Sequence, residues 1–349
     1  MIALQTVYNF YFEVKMKLFN NNKTVIALAL TSLVSACQST EEVEVAAAEP
    51  AKTVEKVVEE KIVHPPVDEI LSQVRNCNDS IIIRSQLLSK QQLDKACALM
   101  IEQESYFHEL FNTQGKPVKD DGNIALRANV YDSRADYQKY ATQHFDMPTN
   151  NGGMYLEGFP SKEGNQAEFV AYEEQSKSSG EWYIRNLKHE YVHYLNGRFN
   201  AYGDYCKYLH DDHAGPEYCP KPSPILPHSV WWGEGVGEYV ARKNVNDWAN
   251  KQVTKEFGKY QLSDLFNTSA NQNGGGVRIY AWGYYAVRYM MENQRDAVEE
   301  MLVLMREGDN LGYQALIHKW GTTLDANFSE WLKTTLANEA SVEPAESGH

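Results

Sequence analysis

His189-Glu190-Tyr191-Val192-His193 sets two imidazoles four residues apart with a carboxylate between them. On a helix, residues four apart share a face one turn removed, so both rings can reach one point. That is the spacing at which two imidazole nitrogens share a tetrahedral zinc. Glu190 lies beside the same face, where a carboxylate can hold an activated water and take its proton. The five-residue pattern alone also occurs as an ordinary exposed helical turn, so it needs a second element. A catalytic zinc takes a third protein donor and keeps one position open.

Downstream comes Trp231-Trp232-Gly233-Glu234-Gly235-Val236-Gly237-Glu238-Tyr239-Val240-Ala241. Two tryptophans and an apolar run predict a largely buried helix, in which a carboxylate needs a metal, a charge partner or strong hydrogen bonds. Glu238 shares a face with Glu234, four residues earlier. It is placed to accept the free ring N–H of a metal-bound histidine.

The run HEYVHYLNGRF at 189–199, followed by WWGEGVGEYVA at 231–241, resembles the peptidase domain of the bacterial collagenases, which are gluzincin zinc peptidases. Asn150 to Gly158 resembles that family's substrate-binding edge strand with its glycine pair. Ile279 to Tyr284 resembles its segment carrying a tyrosine beside the zinc, and Cys77 to Asn112 the beginning of the same unit. The resemblance covers about residues 75 to 335.

It implies that His189, His193 and Glu234 hold zinc and that Glu190 is the general base. It implies that Tyr280 donates a hydrogen bond to the oxyanion. Gly152, Gly153, Met154 and Tyr155 would pair with the substrate backbone as an added strand, and Glu157 would hold a structural calcium together with the carbonyls of Ala201 and Gly203. The fold it implies is α+β: a two-subdomain peptidase with a small mixed sheet plus helices in the N-terminal half, a mainly helical C-terminal half, and the zinc cleft between.

The elements needed to position these residues can be read coarsely. Residues 79–113 have helical apolar spacing through Leu87, Leu88, Leu93, Ala96, Leu99 and Met100. Residues 125–132 alternate as a strand, and 154–156 and 167–172 read as two more. Glu181 to Gly197 is the predicted zinc helix, and a second helix begins at Glu234. From Trp282 to Leu336 the chain reads helical, broken near Gly308 and Gly321.

The 349 residues are 43% hydrophobic and 23% charged, enough for a sizeable core. A net charge of −14 without a basic aromatic patch argues against a nucleic-acid partner. The 22 tyrosines and 7 tryptophans line a cleft or fill the core; composition leaves both open.

Thr24 to Ala36 is an apolar run preceded by Lys17 and Lys23, the layout of a secretory signal, with Met16 the better start. It ends Leu33-Val34-Ser35-Ala36-Cys37, which resembles a bacterial lipobox, so Cys37 is the expected lipidation site. Gln38 follows where an aspartate would retain a lipoprotein at the inner membrane, so the expectation is a lipid anchor at the outer membrane or cell surface. Residues 38–68, rich in Glu, Ala, Val and Lys with Pro50, Pro65 and Pro66, read as a disordered acidic stalk. The peptidase domain is expected over 69–337 and a flexible tail over 338–349. Four cysteines are left. Local pairing, Cys77–Cys97 and Cys206–Cys219, is the simplest of three connectivities. His210, Asp211, Asp212 and His213 read as a solvated loop within an insertion at 203–229.

The expected activity is hydrolysis of collagen-like or gelatin-type peptides before Gly by a monomeric, zinc-dependent endopeptidase. The 349 residues hold no activator or collagen-binding module, so little attack on intact triple helix is expected. One alternative is a lipoprotein zinc peptidase for other small peptides or envelope proteins. Another is a surface-binding protein that keeps the fold without catalysis, which the intact Glu190 and ligand set disfavour.

Overall fold

The computed structural model describes residues 64–204, 228–269 and 273–341. The signal segment, Cys37, Cys206, Cys219, His210 and His213 lie outside the described residues.

The chain enters with a short helix α1 (Val67–Ile70), then strands β1 (Gln73–Asn76) and β2 (Ile81–Ser85). Here the structure corrects the helix expected from residue 79. Ile81-Ile82-Ile83 is β-branched, which favours a pleated strand over a helix, and helix α2 (Lys90–Phe111) begins only after Ser89. Ser89 and Gln92 form a reciprocal capping box that fixes this start. Leu87, expected on the helix face, is therefore in the connection and exposed. Cys77 at the end of β1 is joined to Cys97 on α2 by a disulfide.

Strand β3 (Leu126–Tyr131) leads into helix α3 (Arg134–Phe145), capped by Ser133. Next come β4 (Met154–Leu156), β5 (Glu168–Gln175) and β6 (Trp182–Ile184). The sheet order is β1-β2-β3-β5-β4, with β6 also pairing β5. β2, β3 and β5 are parallel, while β1, β4 and β6 join antiparallel. Alternate residues of β5 serve two cores. Phe169 and Ala171 join the large core with α2, and Val170 and Tyr172 pack with Tyr137 and Ala141 of α3. β4 is left at the rim of the sheet, with β5 as its one strand partner among the described residues.

Helix α4 (Leu187–Asn200) carries the first motif. It is shorter at its start and longer at its end than expected. Residues from Trp182 to Ile184 pair with β5 as a strand, Asn186 turns the chain at φ +56°, and Gly197 lies inside the helix. α4 packs on α2, β4 and β5 from the N-terminal half. On its other side it packs on α5 (Val230–Arg242), and the chain continues through α6 (Asp247–Lys255) and α7 (Leu262–Phe266). A π-helical turn, Val277–Trp282, runs into α8 (Gly283–Asn293), followed by α9 (Arg295–Glu307), α10 (Asn310–Trp320) and α11 (Asp325–Ser341). Gly308 and Gly321 end α9 and α10 with positive φ, at the expected breaks. α5 and α8 pack closely, with Gly235 against Gly283.

The α+β expectation therefore holds: sheet and helices first, helices alone after. Many of the aromatic residues among the described residues are in the core. Trp231, Trp232, Trp282, Tyr191, Tyr194, Tyr284, Tyr285 and Tyr289 are all buried. Asp68 pairs with Arg84 at 2.5 Å and the His64 N–H donates to Gln143, so the packed chain starts before residue 69. α11 continues past Ala337, because Glu339 accepts hydrogen bonds from Tyr285 and Asn250 and pairs with Arg288. No helix among the described residues is long and apolar enough to cross a membrane.

Candidate active site

α4 and α5 meet where His189, His193 and Glu234 converge. His189 Nε2 lies 3.0 Å from His193 Nε2 and 3.2 Å from Glu234 Oε2, and His193 Nε2 lies 3.6 Å from the same oxygen. Tetrahedral zinc with bonds of about 2.0–2.2 Å sets its donor atoms roughly 3.3–3.6 Å apart. Two imidazole nitrogens and one carboxylate oxygen suit that ion by chemistry, and their 3.0–3.6 Å spacing comes within a few tenths of an ångström of its shell. Among the described residues this is the one cluster of three such donors.

The charges agree with the convergence. Burial works against ionisation of Glu234, but the attraction of His193 and hydrogen bonds from both histidines outweigh it and hold its carboxyl well below the usual range. Burial likewise opposes charging His189, yet hydrogen bonds to Glu234 and Glu238 raise that imidazole well above its ordinary value. Glu238 Oε1 stands 3.0 Å from His189 Nδ1, on the far side of the ring from Glu234. A carboxylate there fixes which nitrogen carries the proton and leaves Nε2 as the donor atom.

Glu190 is buried one residue along from His189. Burial pushes its carboxyl above the usual range, against the pull of His193 and His189. Its Oε2 accepts the backbone N–H of Tyr155 at 3.0 Å, which ties this carboxylate to the edge strand β4. Tyr280 sits on the π-helical turn, part-exposed, with its ring centroid 5.8 Å from that of His189. Glu234 first, then burial and the other two glutamates, raise its phenol well above the ordinary value, so it keeps its proton for donation. A single wide turn of this kind often marks a functional position in a helix.

The glycine pair has an internal cause as well. Gly153 has φ +140°, and a Cβ there would stand 3.1 Å from the Val170 carbonyl on β5. Asn151 Oδ1 accepts the Gly153 N–H at 3.3 Å and the Tyr137 hydroxyl, so α3 anchors the start of β4. Glu157 is buried just after β4, Ala201 caps α4, and Gly203 follows with φ +103°.

Sequence reasoning missed three contributors. Asn246, which caps α6, donates to Glu238 Oε2 at 3.1 Å. The contact spans a helix end and carries no periodic signal. The Tyr155 N–H is backbone and leaves no residue signature. Gly237 lies against His189, and its signal was present: three glycines in a buried helix are costly unless something approaches closely.

A family model described as collagenase, of the M9 peptidases, matches residues 30–331. Over 272 residues the chain is 42% identical to a microbial collagenase of Vibrio alginolyticus, covering 78% of this chain and 31% of that protein. It is 38% identical over 272 residues to a microbial collagenase of Vibrio parahaemolyticus, covering 78% and 30%. Collagenase ColT of Clostridium tetani is 24% identical over 253 residues, covering 69% of this chain and 23% of ColT. The chain thus spans less than a third of the length of these curated relatives.

Proposed function

The chain belongs to the collagenase family of M9 peptidases, and from that premise we propose a zinc-dependent endopeptidase that cuts single, extended collagen-like or gelatin-type chains before Gly. The observation that carries it is the triangle of His189, His193 and Glu234 with Glu190 beside it, its carboxylate held by the edge strand.

His189 Nε2, His193 Nε2 and Glu234 Oε2 are the donors for zinc, which when bound polarises the scissile carbonyl and acidifies water. β4 receives the substrate as an added antiparallel strand, and its backbone groups fix the register. Glu190 takes the proton of the attacking water on its carboxylate and passes it to the leaving amine nitrogen. The Tyr155 N–H holds Glu190 Oε2 in place for both transfers. Tyr280 presents a protonated hydroxyl to the carbonyl oxygen as negative charge develops there. Glu238, itself held by Asn246, keeps His189 in the tautomer that binds through Nε2.

Two further assignments stand beside it: calcium at Glu157, which rests on the family resemblance, and a lipid on Cys37, which rests on the lipobox-like Leu33-Val34-Ser35-Ala36-Cys37 and would anchor the protein at the outer membrane or cell surface. A Cys37→Ser variant that still fractionates with membranes removes the second.

The test of the active site is a variant series. Glu190→Ala should lose hydrolysis by several orders of magnitude and keep one zinc per chain. His189→Ala, His193→Ala and Glu234→Ala should lose metal as well. Full zinc occupancy in Glu234→Ala removes the third ligand. If Gly-Pro-rich peptides resist while other peptides are cut, the substrate is one of small peptides or envelope proteins instead.

A further inference from the structure

A second histidine pair repeats the geometry of the first without sharing a side chain with it. His228 stands directly before α5, and His318 is in the last turn of α10. Their Nε2 atoms are 3.2 Å apart, with ring centroids 5.0 Å apart and planes at 84°. The corresponding values for His189 and His193 are 3.0 Å, 4.7 Å and 78°.

The protonation of His228 is set by its surroundings. Its Nδ1 lies 3.0 Å from the carbonyl oxygen of Phe266. A carbonyl only accepts, so Nδ1 carries the hydrogen and Nε2 of the neutral ring presents a lone pair toward His318. An Nδ1–H bonded to a backbone carbonyl is the usual support of a metal-bound imidazole. Burial lowers the proton affinity of His228, which keeps the ring in the neutral, ligating form at neutral pH. The backbone is pinned too: His228 has φ +68°, and its carbonyl accepts the Tyr313 hydroxyl from α10.

We infer that His228 and His318 form a second divalent-metal site, selective for zinc-like ions that prefer imidazole, which clamps the segment leading into α5 onto α10. The 3.2 Å donor spacing suits one edge of a tetrahedral shell, with water at the other two positions. Imidazole donors without a carboxylate disfavour calcium and magnesium. Two protein ligands make the site weaker than the three-ligand centre. The clamp acts on the helix that carries Glu234 and Glu238, so its occupancy is expected to stabilise the fold by linkage.

The test uses the full chain already loaded with one tightly held zinc, titrated with further zinc chloride in a calorimeter. A second, weaker equivalent should bind, and excess zinc should raise the melting temperature. His318→Ala lies on an exposed helix face and should leave the fold and the first zinc intact. It should weaken the second equivalent at least tenfold and abolish the thermal shift, and His228→Ala should do the same. The magnesium control should give no second equivalent. The readout is stoichiometry and melting temperature, so it is independent of hydrolysis. An unchanged second equivalent in His318→Ala, or no second equivalent at millimolar zinc, overturns the inference.

Discussion

The backbone N–H of Tyr155 points at the side chain of Glu190, 3.0 Å from Oε2. Tyr155 pairs with Phe169 across β4 and β5, yet its N–H leaves the sheet on the open side. The edge proposed to receive a substrate strand therefore also holds Glu190, the proposed general base. In the proposed mechanism, substrate docking and proton transfer would be coupled through this one peptide unit.

Tyr155→Pro tests that coupling. Proline removes the N–H and is tolerated on an edge strand whose N–H faces outward. A hydrogen bond to a charged group contributes about 1.5–3 kcal/mol, so kcat should fall roughly ten- to a hundredfold. Tyr155→Ala is the comparison, since it loses the same ring and keeps the N–H. Steady-state kinetics and thermal melts of both variants give the answer. Equal kcat in the two would show that the N–H does not position Glu190.

Gly237 makes the opposite kind of contact, an absence that admits a neighbour. A Cβ there would stand 2.9 Å from Cε1 of His189. Alanine favours the helix over glycine by up to about 1 kcal/mol. Gly237→Ala should therefore leave the metal-free melting temperature equal or higher. The displaced ring should weaken zinc binding by about ten- to a hundredfold, the usual cost of disturbing a ligand's support. A competition titration against a zinc-binding dye measures it. Unchanged zinc affinity would mean that His189 shifts without consequence.

The last helix is held by a charge network. Arg288 is buried on α8, donates to Glu292 at 2.8 Å and pairs with Glu339 of α11. Glu339 also takes the Tyr285 hydroxyl at 2.6 Å and the Asn250 amide at 2.8 Å. Removing it leaves a buried guanidinium with one carboxylate instead of two. Glu339→Ala should cost about 3 kcal/mol in a urea denaturation. A chain ended after Ala337 should lose at least as much. A loss under about 0.5 kcal/mol, the range of an ordinary surface substitution, would show that the network is solvated.

What the sequence made legible, and what it hid, follows from the range of each signal. His189, His193 and Glu190 were readable because helical spacing is local. Glu238 was readable because it follows Glu234 by one turn. The breaks at Gly308 and Gly321 were readable because a C-terminal glycine has one common use. Ile81-Ile82-Ile83 was misread because a short apolar run fits a helix or a buried strand, and Ser89 with Gln92 was the unread arbiter. The Glu339 network was hidden because its partners are 51 and 54 residues away on α8 and 89 residues away on α6. α3 was not anticipated because Arg134 to Phe145 is polar on most faces and buries little beyond Tyr137 and Ala141.

The final prediction concerns the form of the substrate. β4 is a three-residue edge strand beside Glu190, and it can pair with one extended chain. In a collagen triple helix each chain is wound with two others, and its glycines face the axis. No single strand there offers a free backbone edge. A short Gly-Pro-rich peptide and gelatin should therefore be cut at comparable rates, while native collagen below its melting temperature should be cut at least a hundredfold more slowly. Warming the collagen through its melting transition should restore cleavage, with the rate following the fraction of unwound chain. Circular dichroism of the substrate and end-group analysis of the products follow both quantities in one experiment. Cleavage of native collagen as fast as gelatin would mean that the chain opens the triple helix by itself, and that β4 is not the limiting receiver of substrate.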